Sequence, residues 1–184
     1  MENNANNGHE AYDDQVIFVD THLIQKAVEG LQRSREEFQS LLEQAEGGDP
    51  AAYYDLGVRY AEGDGAERDP ARAAHWFSLA AEDGDLRAVD LLGRCYQAGS
   101  GVEKDEARAA ECYLQAAEQG YAPGQTNLAV CYFNGIGVEQ SVDTALQWLE
   151  KAVEQEFPRA LNILGDCYWD GTGVERDRAR SARL

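Results

Sequence analysis

The chain has 184 residues and a formal charge of −18, with 34 Asp and Glu against 16 Lys and Arg. Such an acid excess excludes a protein that grips nucleic acid or anionic lipid by neutralising backbone charge. At 43% hydrophobic it is too apolar for a disordered acidic chain, yet no run approaches the roughly 20 apolar residues of a membrane span, so a soluble globular protein is expected.

The start, Met1 to His9, is polar and acidic where a secretory signal is basic and then apolar, which places the protein in the cytoplasm with its four cysteines reduced. Residues 1–19 read as a flexible acidic segment. Its apolar stretch Gln15-Val16-Ile17-Phe18-Val19 has no strand to pair with in a chain that otherwise reads as helix. It is expected to tuck against the first helices or to be offered to a partner. Residues 20–48 are expected to form two capping helices: a short one from about Thr21 to Glu29, capped by Asp20 or Thr21, and a second from about Leu31 to Glu46. Leu31, Phe38, Leu41, Leu42 and Ala45 are the core positions of the second.

From residue 49 a 36-residue period takes over. Leu56-Gly57, Leu92-Gly93, Leu128-Ala129 and Leu164-Gly165 recur at that step, as do Tyr60, Tyr96, Tyr132 and Tyr168. Two glycine columns follow, Gly63, Gly99, Gly135 and Gly171, then Gly65, Gly101, Gly137 and Gly173. Asp69, Asp105, Ser141 and Asp177 form another column, and Trp76, Cys112 and Trp148 a further one. Each unit reads as two helices. Helix A, from about Ala52 to Glu62 in the first copy, ends at a glycine able to take the left-handed cap. Asp69-Pro70 opens helix B with an N-cap and a proline at the first helical position. One such pair cannot bury its own apolar face, so neighbouring pairs must stack. The fold class is all-α, a right-handed α-solenoid, with repeats at 49–84, 85–120, 121–156 and a truncated 157–184.

The pattern Leu-Gly-x-x-Tyr-x-x-Gly-x-Gly-Val-x-x-Asp, followed by Ala, Trp and Ala-Ala, resembles the Sel1-like repeat, a longer relative of the tetratricopeptide repeat. Ala66, Cys112, Ala129 and Glu156 depart from it. The resemblance implies a protein-interaction module acting as adaptor, scaffold or chaperone. An immunity or antitoxin protein that plugs a basic toxin is the alternative, since opposite charge speeds association.

Little catalytic chemistry is legible. The Gly-x-Gly pairs end helices where a phosphate loop would follow a strand, and no Gly-Lys-Ser/Thr occurs. His9, His22 and His75 are scattered, so no metal or other cofactor is expected. Cys95, Cys131 and Cys167 share a column and read as small buried hydrophobes; free thiols are expected there and at Cys112. Some secreted relatives pair cysteines between the two helices, and a few members have been linked to penicillin binding or β-lactamase activity, which leaves a cell-wall- or β-lactam-active enzyme as a minor alternative. Against it, Ser34, Ser40, Ser78, Ser100, Ser141 and Ser181 all lack a lysine three positions on.

The resemblance implies a concave face lined by helix A. Counting two before the Leu column and two, five and six after it selects Tyr54, Val58, Ala61 and Glu62; Asp90, Arg94, Gln97 and Ala98; Thr126, Val130, Phe133 and Asn134; and Asn162, Asp166, Trp169 and Asp170. Phe133 and Trp169 share one column. They read either as anchors for a partner or as a lid, Trp169 covering the unfinished end and Phe133 leaning on it. Exposed apolar surface at the cut edge of repeat four is a candidate for self-association. The charge is uneven: residues 1–50 sum to −8, 51–100 to −4, 101–150 to −6 and 151–184 to zero. A protein or peptide partner with a basic surface is therefore expected.

Overall fold

The computed structural model describes residues 21–183, and among them the regular structure is entirely helical. A long α1 (Thr21–Glu46) precedes three A–B pairs, α2 (Pro50–Glu62) with α3 (Pro70–Glu82), α4 (Leu86–Ala98) with α5 (Glu106–Glu118), and α6 (Ala122–Asn134) with α7 (Val142–Glu154). The fourth copy has α8 (Pro158–Asp170) and a one-turn α9 (Arg178–Ser181). The acidic segment 1–19, with its apolar stretch, lies outside the described residues.

Helix termini sit where the sequence signals place them. Asp69, Asp105, Ser141 and Asp177 each accept backbone N–H bonds at the start of helix B, which offsets donors a helix start otherwise leaves bare. Gly63, Gly99, Gly135 and Gly171 cap helix A in the left-handed conformation. The tyrosine column closes the loop between them: the carbonyls of Tyr60, Tyr96, Tyr132 and Tyr168 each accept the N–H of the next helix's cap residue at 2.9 Å. Glu156, standing where earlier copies have glycine, is forced to φ 54°, a conformation that costs an L-residue about 1–2 kcal/mol.

Packing within a pair follows from the small residue after the Leu column. A Cβ on Gly57 would lie 2.6 Å from the Phe77 ring, and one on Gly93 2.7 Å from Tyr113. Repeat three carries Ala129 instead, and the ring's place is taken by Leu149 in the same buried cluster. A smaller partner admits the extra methyl. Leu56 and Leu128 are at most 1% exposed, each worth about 1.5–3 kcal/mol of burial.

Between pairs, the second glycine of each loop docks on the preceding helix B. A Cβ on Gly101 would strike the carbonyl of Pro70, and one on Gly137 that of Glu106. Gly65 meets Ser34 and Phe38 of α1 in the same way, and Ser34 precedes Pro70 by one period. The second half of α1 thus stands in for a missing helix B. Two expectations fail here. The two capping helices are one continuous helix, because Gly30 sits in open space with no neighbour to force a turn and a lone glycine costs a helix only about 1 kcal/mol. Leu31 is not a core residue: it is 71% exposed, since it lies three positions before Ser34, beyond the edge of the solenoid, where no helix faces it. Phe38 and Ala45 are buried and Leu41 and Leu42 pack against them.

Candidate interaction surface

The helix A row, α2, α4, α6 and α8, behaves differently along its length. At its front, Val58 and Ala61 of α2 and Leu91, Cys95 and Ala98 of α4 leave a cleft of about 340 Å³ floored by Phe77, with Glu62 and Arg94 on its rim. Val58 and Glu62 also border a second hollow, between α1 and α2, whose walls carry Glu37, Asp55 and Asp64. Arg59 is the basic group there, held by Glu37 at 3.0 Å and Asp64 at 3.1 Å; Ser34 also donates to Asp64. With its cation committed to two carboxylates, this end presents net negative charge.

At the front, beside the cleft, the Arg87 guanidinium lies 4.0 Å over the Tyr54 ring, tying α4 to α2. Further along, the row is locked by side chains. Asn127 donates to Asp90 at 2.6 Å and accepts from Arg159 at 2.5 Å, tying α4 to α6 and α6 to α8. Asp90 is 7% exposed. Burial raises its pKa above the ordinary value, against the opposing pull of the Asn127 amide and the Arg94 and Arg159 charges.

The residues singled out by sequence divide accordingly. Val58 and Arg94 line the front cleft. Tyr54 is half-buried under Arg87. Asp90 belongs to the lock, and Gln97 accepts the Tyr113 hydroxyl at 2.9 Å. Thr126 is a correction: it is fully buried, its hydroxyl donated to the Ala122 carbonyl at 2.8 Å, so it offers a partner no atom. Val130 is partly buried, Phe133 packs against the last core cluster, and Asn134 is exposed with its amide on the Val130 carbonyl. Asn162, Asp166 and Asp170 are exposed. Trp169 is 48% exposed, with the Arg178 guanidinium 4.6 Å from its ring centre.

Sequence reasoning missed the position just before the Leu column, Asp55, Leu91 and Asn127, and the lock residues Arg87 and Arg159. The signal was present: positions one before, two after and six after the Leu column form an i, i+3, i+7 stripe, and choosing two before it rotated the face by one residue.

The four cysteines are unbridged. Burial pushes the Cys112 and Cys131 thiols up to about 11, so they stay protonated and weakly nucleophilic near neutrality. Among the described residues no group of three or more His, Cys, Asp or Glu is placed to hold a metal ion, and no helix is long and apolar enough to cross a membrane.

Stacked helix pairs with a groove along one row of helices define a helical-repeat protein of the kind built around extended binding surfaces. A family model described as Sel1 repeat matches residues 50–85, 87–121, 122–157 and 158–184, and the chain belongs to that family. Sel1 repeat proteins generally mediate protein–protein interaction. Among solved structures the chain is similar to a protective antigen of uropathogenic Escherichia coli with an SLR fold, at 35% identity and TM-score 0.70, covering 88% of this chain and 38% of that one. A Sel1 repeat protein from Oxalobacter formigenes is similar at 30% identity and TM-score 0.72, over 90% of this chain and 66% of that one. Another, from Klebsiella pneumoniae, shares 25% identity at TM-score 0.57, over 79% of this chain and 70% of that one. The chain thus spans less than two thirds of the first two structures it resembles. No curated protein matches it.

Proposed function

We propose that this chain is a non-catalytic adaptor whose helix A row holds an extended segment of a protein partner, with an apolar side chain of that segment in the front cleft and basic side chains beside it. The observation that carries the reading is the cleft: its walls Val58, Ala61, Leu91 and Ala98 are apolar, and the adjoining hollow is rimmed by Glu37, Asp55, Glu62 and Asp64. Apolar anchors supply affinity, and the acidic rim selects a basic partner and speeds its approach. Trp169, exposed at the far end of the row, is the second anchor.

The test is selection from a random 16-mer peptide library, long enough when extended to run about 50 Å. Enriched peptides should pair a large aliphatic residue with Lys or Arg, and a selected peptide should bind about tenfold more weakly to Leu91→Asp and to Trp169→Ala. Its affinity should also fall as NaCl rises, and Thr126→Val should bind as the unaltered chain does. Enrichment of acidic peptides, or full binding by Leu91→Asp, would remove the proposal.

A further inference from the structure

The helices of the row, α2, α4, α6 and α8, carry four basic side chains among them, Arg59, Arg87, Arg94 and Arg159. Three are committed inside the protein. Arg59 is held by Glu37 and Asp64, Arg87 by Asp85 at 2.6 Å, and Arg159 by Asn127. Arg94 differs: it is exposed on the rim of the front cleft and is in no ion pair among the described residues. Asp90, one turn before it on α4, attracts it through space. That carboxyl is 7% exposed and already receives the Asn127 amide, so the Arg94 guanidinium keeps its donors for something outside the chain.

The repeat shows where this charge stands. Arg94 shares a column with Val58, Val130 and Asp166, each at the same place on its own helix A. On the same stripe α2 brings Asp55 and Glu62 and α8 brings Asp166 and Asp170, all exposed, while α6 brings the uncharged Asn127, Val130 and Asn134. Along the row the charge therefore runs negative, positive, neutral, negative.

We infer that Arg94 pairs with one Asp or Glu side chain of the bound segment, and that this carboxylate fixes the segment's register and sense along the row. The inference rests on the front cleft being the partner site. A guanidinium meets a carboxylate in a two-pronged geometry that a lone ammonium lacks, and a segment shifted along the row would set like charges together, which selects against it. The spacing follows from the helices. Packed helices lie about 8–10 Å apart and an extended chain advances about 3.3 Å per residue, so one unit of the row spans about three residues of the segment. With the aliphatic anchor between α2 and α4, the acid falls about one or two residues beyond it, toward α6. One basic residue falls about three residues before the anchor, over the acidic hollow, and another about six past the acid, at Asp166. The segment stays net basic. A terminal carboxylate at Arg94 would end the segment at α4 and leave the exposed Asp166, Trp169 and Asp170 of α8 without a ligand, so an internal side chain is the source.

A double-mutant cycle on the full chain tests this, with a library-selected peptide acetylated at its N-terminus and amidated at its C-terminus, titrated by calorimetry. Changing the acid beside its anchor to the matching amide should weaken binding about fivefold to the unaltered chain and to Asp166→Asn, but less than about twofold to Arg94→Gln. Arg94→Gln keeps the side chain's length and loses its charge, and its remaining affinity for both peptides shows that it is folded. Selected peptides that depend on Leu91 yet carry no acid within about two residues of the anchor would overturn the inference while leaving the proposed function standing. So would an acid whose replacement costs as much on Arg94→Gln as on the unaltered chain, or binding lost when the C-terminus is amidated, which would assign Arg94 to a terminal carboxylate. Peptides that bind Leu91→Asp in full would instead remove the cleft itself.

Discussion

The front and rear of the helix A row are built from the same repeat columns and do opposite things with them. Between α2 and α4, the apolar side chains of Val58, Ala61, Leu91 and Ala98 line an open cleft. Between α4, α6 and α8 the space is spanned by Asp90, Asn127 and Arg159 bonded end to end. The repeat fixes backbone geometry through glycines and caps, and leaves the row free to be a socket in one place and a strut in another. An open apolar cleft forgoes contacts; a buried polar chain must be fully satisfied to be tolerated. Among the described residues no buried side-chain polar atom lacks a partner.

Breaking the shared scaffold should have the largest effect. Gly101→Ala places a Cβ against the Pro70 carbonyl at φ 76° and is expected to lower stability in urea titration by at least ~3 kcal/mol. Gly84→Ala, at φ 94° but with nothing within 4 Å, should cost only about 1–2 kcal/mol. Equal losses would mean that backbone conformation, not the docking of one repeat on the next, is what the second glycine serves.

Asn127→Ala should act on the strut alone, costing about 2 kcal/mol because it strands a buried carboxylate. Binding at the front cleft should stay within twofold, measured with the same selected peptide. A tenfold loss there would show socket and strut to be one unit.

The smallest effect is a slope. Burial raises the Asp90 pKa above 3.8, so the folded chain holds this proton to higher pH than the unfolded chain does. Its stabilising contribution is complete below pH 3.8 and is lost as pH rises through the folded value. Asp90→Asn keeps an acceptor for Asn127 and removes the titration. Its stability relative to the unaltered chain should therefore increase as pH rises from 3.8; parallel curves would place the Asp90 charge in a solvated setting.

Much of the architecture was legible because the residues that set it act locally. Asp69 and Gly63 each have one conformational job, and a 36-residue recurrence of such residues can be read without knowing the packing. The interaction surface was less so. Thr126 and Asn162 share a column, yet one is fully buried and the other exposed, because burial there depends on which side chains of the flanking helices cross over. Gly30 misled for the opposite reason. A glycine between two apolar stretches reads as a break, but no tertiary contact requires one.

The loop glycines Gly101 and Gly137 rest on carbonyls, atoms that every amino acid brings. At those two joints the receiving side is therefore indifferent to composition, whereas Gly173 rests on the Val142 and Leu146 side chains, so a unit can be exchanged without re-tuning the seam only where backbone receives the glycine. Such a chain can lengthen its reach before it alters what it grips.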